Sequence, residues 1–140
     1  MLKISDAVNL AFHAMLLLST KLQGGQLSVQ ELAETLRVSD NPLSKVMQRL
    51  SKAGLVGSRR GPRGGFYLAK DPASIRLSDI YAVIEGPLPP AACLLEKPLC
   101  DGQCCLLGNL LASVQQQIRD QLDGTTLKDV RDRLPCGLFS

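Results

Sequence analysis

The chain has 140 residues, 45% hydrophobic and only 4% aromatic, with no Trp and a formal net charge of +3. That length fits one domain with a modest core of aliphatic side chains, and the composition favours helices. With no signal-peptide pattern and no apolar run of about eighteen residues, neither export nor a membrane partner is expected, and the sequence reads as cytoplasmic.

The charge is unevenly divided. Residues 1–86 hold 11 Lys/Arg against 7 Asp/Glu, whereas residues 87–140 hold 5 against 6. The first helix is expected over residues 5–20, where Val8, Ala11, Phe12, Met15 and Leu16 share one face and Ser5 is placed to cap it. Ser28 and Glu31 form a capping-box pattern, stapled by Leu27 and Leu32, that opens a second helix over about residues 29–36. Ser39 opens a third in the same way, with Val38 and Leu43 as the staple and Pro42 tolerated in the first turn. Its buried stripe is Leu43, Val46, Met47 and Leu50, which leaves Asn41, Ser44, Lys45, Gln48, Arg49 and Lys52 outside, and Gly54 ends it. Two helices joined by a short turn, the second with a polar, basic outer face, make a helix-turn-helix pattern.

Residues 55–60 and 65–69 then read as two short strands around the turn Gly61-Pro62-Arg63-Gly64, forming a wing that carries Arg59, Arg60 and Arg63. From Lys45 to Arg63 there are six Lys/Arg and no acid. Charge runs are ordinarily solvated faces; this one coincides with the exposed surface of a reading head, which points to double-stranded DNA. In this face Lys45 and Arg49 can neutralise phosphate or reach guanine, Asn41 can pair with adenine, and Ser44 is permissive. Ser78 is expected to cap a short helix through Ile84, and Gly86-Pro87-Leu88-Pro89-Pro90 reads as a hinge. Leu107, Leu110, Leu111, Val114, Ile118 and Leu122 mark a long amphipathic helix whose narrow stripe suggests a seam between two subunits, and residues 127–134 form a last short element. The organisation is therefore mainly α. Residues 1–86 form a winged helix-turn-helix with a small β-hairpin wing, residues 87–105 a hinge and cysteine loop, and residues 106–140 a long C-terminal dimerisation helix and tail.

Four of the five cysteines, Cys93, Cys100, Cys104 and Cys105, fall within thirteen residues. In a reducing compartment such crowding suggests metal ligands or a redox sensor rather than a structural disulfide framework. Thiolates suit iron-sulfur clusters, and a loop containing Gly and Pro lets several converge. A metal-free thiol-disulfide switch is the alternative. Zinc is the weaker option because no CxxC pair is present, and Cys136 lies apart from the group.

The stretch LSKAGLVGSRRGPRGGFYLAKDPASIRLSDIYAVIEG, the LAFHAM segment of the first helix and the cysteines after the wing resemble bacterial winged-helix transcription regulators of the IscR and NsrR type, in the Rrf-two superfamily. The resemblance implies a homodimer whose recognition helices enter successive major grooves of an operator, with base-reading positions at Asn41, Ser44 and Lys45 and the wing arginine at Arg60. Relatives that read bases with Glu and Gln are not matched by Ser44 and Lys45. The resemblance also implies an iron-sulfur cluster, 2Fe-2S favoured over 4Fe-4S, held by Cys93, Cys100 and Cys105, with Cys104 as an alternative ligand. Relatives place a His three residues into the following helix, where this chain has Gly108, or recruit a ligand from the first helix of the other subunit. That makes His13 of the partner subunit a candidate, while Asn9 stands where such relatives carry an acid. The function so implied is a dimeric DNA-binding regulator sensing iron-sulfur, redox or nitric oxide status. A cluster carrier or electron-transfer protein would need the thiols but not the basic head. No nucleophile-base constellation or phosphate loop suggests an enzyme.

Overall fold

A serine at the head of each of the first two helices accounts for where they begin. In the computed structural model, which describes residues 4–21, 25–88, 93, 95, 97, 99–101 and 105–135, α1 (Asp6–Ser19) starts where the Ser5 hydroxyl accepts from the Val8 amide. Helix α2 (Val29–Leu36) has the full capping box: the Glu31 amide donates to the Ser28 hydroxyl at 3.1 Å and the Ser28 amide to the Glu31 carboxylate at 2.9 Å. Arg37 turns the chain out of α2 in the left-handed region, at φ 56°, and the Val38 amide closes onto the Ala33 carbonyl.

Helix α3 (Asp40–Lys52) follows after this tight turn. Ser39 holds the N-cap position but makes no side-chain cap bond, so only half of its expected role is realised. At the other end Gly54 has φ +81°, the Leu55 amide reaches the Leu50 carbonyl and the Gly54 amide reaches that of Ser51, a Schellman closure that glycine permits. Strands β1 (Val56–Arg59) and β2 (Gly65–Leu68) pair antiparallel, with Val56 opposite Leu68 and Arg59 opposite Gly65. Leu27, just before α2, adds one rung by exchanging backbone hydrogen bonds with Phe66, at 2.9 and 2.7 Å. Gly65 is required at this rung, because a Cβ there would lie 2.7 Å from the Leu27 backbone.

A 3-10 turn at Pro72–Ser74 leads into α4 (Leu77–Glu85). Its start corrects the expected cap at Ser78: Arg76 holds the N-cap position, and its amide donates to the Asp79 carboxylate at 2.9 Å. Helix α5 (Leu110–Gly124) begins three residues later than its apolar stripe, because Leu106–Asn109 form a turn in which Gly108 adopts φ +58°. Helix α6 (Leu127–Arg133) returns to the head. The Leu127 amide donates to the Ile75 carbonyl, the Leu77 amide to that of Thr125, and Leu127 is buried. The C-terminal element is thus part of the reading head's packing and not a free tail.

The core joins Val8, Ala11 and Met15 of α1 with Leu32, Leu43, Met47 and Leu50 of the helix-turn-helix, and with Ile75, Ile80 and Tyr81. Helix α1 packs on α2, α3, α4 and α6 together, so the recognition helix is fixed by a hydrophobic hub. Burying each such Leu or Met side chain contributes about 1.5–3 kcal/mol. Among the described residues no helix is long and apolar enough to cross a membrane.

Candidate DNA interface and cysteine loop

Helix α3 separates its faces cleanly. Leu43, Val46, Met47 and Leu50 are buried, Asn41, Lys45, Gln48 and Lys52 are exposed, and Ser44 is half-buried at the flank. The exposed side chains offer amide and ammonium groups to a polyanion, and the apolar side anchors them to the hub. Arg59, Arg60 and Arg63 are exposed on the wing.

The wing cations differ in freedom. The Arg59 guanidinium lies 4.7 Å from the centre of the Tyr67 ring and donates to the Gln26 amide oxygen at 3.5 Å. Gln26 in turn donates its side-chain amide to the Arg63 carbonyl, tying the wing tip to the segment before α2. The Tyr67 ring is seated over Gly57, where an added Cβ would come within 2.4 Å of it. No side-chain partner of Arg60 is found among the described residues, which leaves it available to solvent or to a ligand. Gln26 and Tyr67 are site residues that local pattern reading misses; the cross-strand register, Gly57 against Tyr67, is the signal that would have found the second.

Arg49 is exposed on α3 as expected, but its guanidinium is engaged within the chain. It lies at the edge of the exposed face, and its guanidinium donates to the carbonyls of Ile84 at 2.7 Å and Val83 at 3.2 Å, in the last turn of α4. Those carbonyls have no partner within their helix, and a cation at a helix C-terminus also meets a favourable dipole.

Of the expected thiols, Cys93, Cys100 and Cys105 are free, Cys100 being exposed and the other two half-buried; Cys104 and Cys136 lie outside the described residues. The Leu95 amide donates to Cys93 Sγ at 3.4 Å, and the Cys105 carbonyl accepts from the Gly108 amide at 2.9 Å. The turn closed by that bond holds Gly108 in a left-handed conformation that a His would adopt only under strain. Among the described residues of one chain, no three His, Cys, Asp or Glu side chains are gathered closely enough to hold a metal ion. The donor set is nonetheless chemically suited to iron and sulfide: soft, unpaired sulfurs on one short loop.

His13 is exposed on α1 beside a cavity of about 150 Å³ lined by Asn9, Leu10, Leu36 and Val38. Its Nδ1 lies 2.8 Å from the Asn9 carbonyl. A carbonyl only accepts, so this hydrogen bond is made by an Nδ1–H, and the neutral tautomer that makes it carries its lone pair on Nε2, the arrangement common among metal-ligating histidines.

Helix α5 resolves into two halves. Leu110 and Val114 are 54% and 44% exposed and Leu106, in the turn before the helix, 93%, whereas Ile118 packs on the core and Leu122 is only 8% exposed. The lower half serves this chain's own core against α4, and the upper half presents an uncovered apolar stripe beside the cysteine loop.

Comparison with known proteins agrees with this architecture. CymR of Bacillus subtilis, an HTH-type transcriptional regulator, is 31% identical over 129 residues, covering 92% of this chain and 89% of its own. The solved structure of CymR, the global cysteine regulator of B. subtilis, matches with a TM-score of 0.80 at 32% identity, covering 96% of this chain and 100% of that one. The oxidised form of Staphylococcus aureus CymR gives 0.76 at 29% identity, covering 96% and 99%, and T. potens IscR gives 0.71 at 29%, covering 97% and 94%. The Rrf2 family profile, described as an iron-dependent transcriptional regulator, matches residues 4–133. With that match spanning the head, the cysteine loop and both C-terminal helices, the chain belongs to the Rrf2 family of transcriptional regulators, which are not enzymes.

Proposed function

We propose that this chain works as a homodimer on a double-stranded DNA operator and that the loop from Cys93 to Cys105 supplies its input. The observation that carries the reading is the exposed basic surface from Lys45 of α3 to Arg63 of the wing, a run without an acid, held on a hydrophobic hub. Asn41, Ser44, Lys45 and Gln48 would meet base edges and nearby phosphates, while Arg59, Arg60 and Arg63 would engage the adjacent backbone or minor groove. The uncovered stripe of Leu106, Leu110 and Val114 supports pairing of two subunits along α5, which would set the spacing between their recognition helices.

For the input, Cys93, Cys100 and Cys105 are the residues that would hold an iron-sulfur cluster, with Cys104 as an alternative and Nε2 of His13 of the partner subunit as a further ligand. Such a group, when bound, supplies iron that reacts with oxidants and nitric oxide. The chain's own part is to offer thiolates on a loop that joins the head to α5, so that a change in the loop shifts the population between two dimer states. The second reading, a metal-free thiol switch in the cytoplasm, is favoured by one observation: the described thiols are free and are not gathered within one chain.

Anaerobic purification with an absorption spectrum and an iron and sulfide count, repeated for Cys93→Ala and His13→Ala, separates the two. Coloured protein that loses iron in the Cys93 variant supports the cluster. Colourless, iron-free protein whose DNA binding still follows thiol state establishes the switch instead. Absence of any salt-sensitive DNA binding would favour a cluster carrier or electron-transfer role over both.

A further inference from the structure

The basic residue at the edge of the recognition helix is exposed, yet its guanidinium is bound within the chain. Arg49 is on α3, yet its guanidinium is bound to the Val83 and Ile84 carbonyls at the end of α4. Two residues further on, the Gly86 amide closes the helix onto the Ala82 carbonyl at 2.9 Å and Gly86 turns the chain with φ +82° into the hinge. Leu88, still in the hinge, is held from the other side, where the Arg119 guanidinium of α5 donates to its carbonyl at 3.5 Å. The Glu85 carboxylate accepts from the Ser5 hydroxyl at the head of α1. The short segment 83–88 is therefore clasped by α1, by α3 through Arg49 and by α5 through Arg119.

From this geometry we infer that Arg49 is a positioning residue for DNA binding: it fixes the angle of the recognition helix to the hinge that leads into the cysteine loop, and it does not contact DNA. The inference rests on the proposed DNA-binding role of α3. Its physical basis is that a guanidinium already bound to two helix-terminal carbonyls is partnered, so leaving them for a phosphate would cost both hydrogen bonds. Displacement of the hinge would pull on the end of α3, where Arg49 lies one turn from the exposed Lys45. A sequence reading sees only a cation in a basic run, because its partner lies thirty-four residues away.

The test uses Arg49→Gln in the full chain, with two readouts. Hydrogen exchange of the DNA-free protein follows the Gly86 amide and its neighbours in α4's last turn; the inference expects faster exchange there than in the wild type. Affinity for a duplex selected from a random pool by the wild-type protein is then measured against salt. Loss of positioning lowers affinity by the same factor at every salt concentration, whereas loss of a phosphate contact reduces the slope of log affinity against log salt by about 0.9 per subunit. Unchanged exchange, or a reduced slope, overturns the inference. Should the Gln variant fail to fold, Arg49→Lys keeps the charge but loses the planar fork: faster exchange with a parallel loss of affinity supports positioning, and wild-type behaviour in both overturns it. If the wild type selects no duplex, the DNA-binding proposal fails, while the exchange result still decides what Arg49 holds.

Discussion

Replacing Arg60 by Ala removes an exposed wing cation without disturbing a described contact. The exposed cations of α3 and the wing, apart from Arg49, are Lys45, Lys52, Arg59, Arg60 and Arg63, so a dimer offers about ten charges and a salt slope no steeper than about −9. A dimer of the variant loses two phosphate contacts, and its slope flattens by about 1.8. Between 50 and 200 mM salt this makes the ratio of wild-type to variant affinity change by about twelvefold, with the larger deficit at low salt. Fluorescence anisotropy of a labelled duplex, titrated at four salt concentrations, gives both lines. Parallel lines would refute the wing contact, and identical lines would show that Arg60 meets no DNA at all.

Other substitutions probe the scaffold. Leu50→Ala empties a fully buried site that also closes α3, and urea unfolding should show a loss of about 3 kcal/mol. Gly65→Ala forces a Cβ against the Leu27 backbone; stability should fall by about 1–3 kcal/mol, with faster exchange at the Phe66 amide, and an unperturbed amide would contradict the close approach. Arg37→Gly relieves a left-handed non-glycine residue and should be neutral or stabilising by up to about 1 kcal/mol; a clear destabilisation would mean that its side chain contributes more than its backbone costs. The Thr126 amide, then its hydroxyl, hold the Asp129 carboxyl below its ordinary value of 3.8. With a folded pKa below the unfolded one, that contribution is present above about pH 4 and is lost as pH falls through the depressed value. Asp129→Asn should therefore weaken the acid-range decline in melting temperature, and superimposable pH profiles would dismiss the interaction.

The reading head was legible because its signals are local. Ser5, the Ser28–Glu31 box and Gly54 each act within a turn of the helix end they define, and the period of Leu43, Val46, Met47 and Leu50 is enough to orient α3. The wing followed from its turn residues, although the Leu27 rung and the Gln26–Arg63 tie join segments separated by the whole helix-turn-helix. What the sequence concealed depends on distant partners. Arg49 looks like another cation of a basic face until the end of α4 is placed beside it, and Arg76 gains its cap position from Asp79 and from a bridge to Thr126. The α5 stripe is one period in sequence, but α4 covers only its second half. Of the thiols, the donor types were legible in the sequence, and among the described residues of one chain no three possible ligands are gathered. Pro89, Pro90 and Cys104 lie outside the described residues.

The central claim is that the chemical state of the Cys93–Cys105 loop sets the affinity of the α3–wing surface for DNA. Its most direct measurement is the dissociation constant of one selected duplex for the anaerobically purified protein, taken before and after removal of bound iron and again after thiol oxidation. The account predicts that affinity changes between at least two of these states and that Cys93→Ala abolishes the difference. The same affinity in all three states would contradict it.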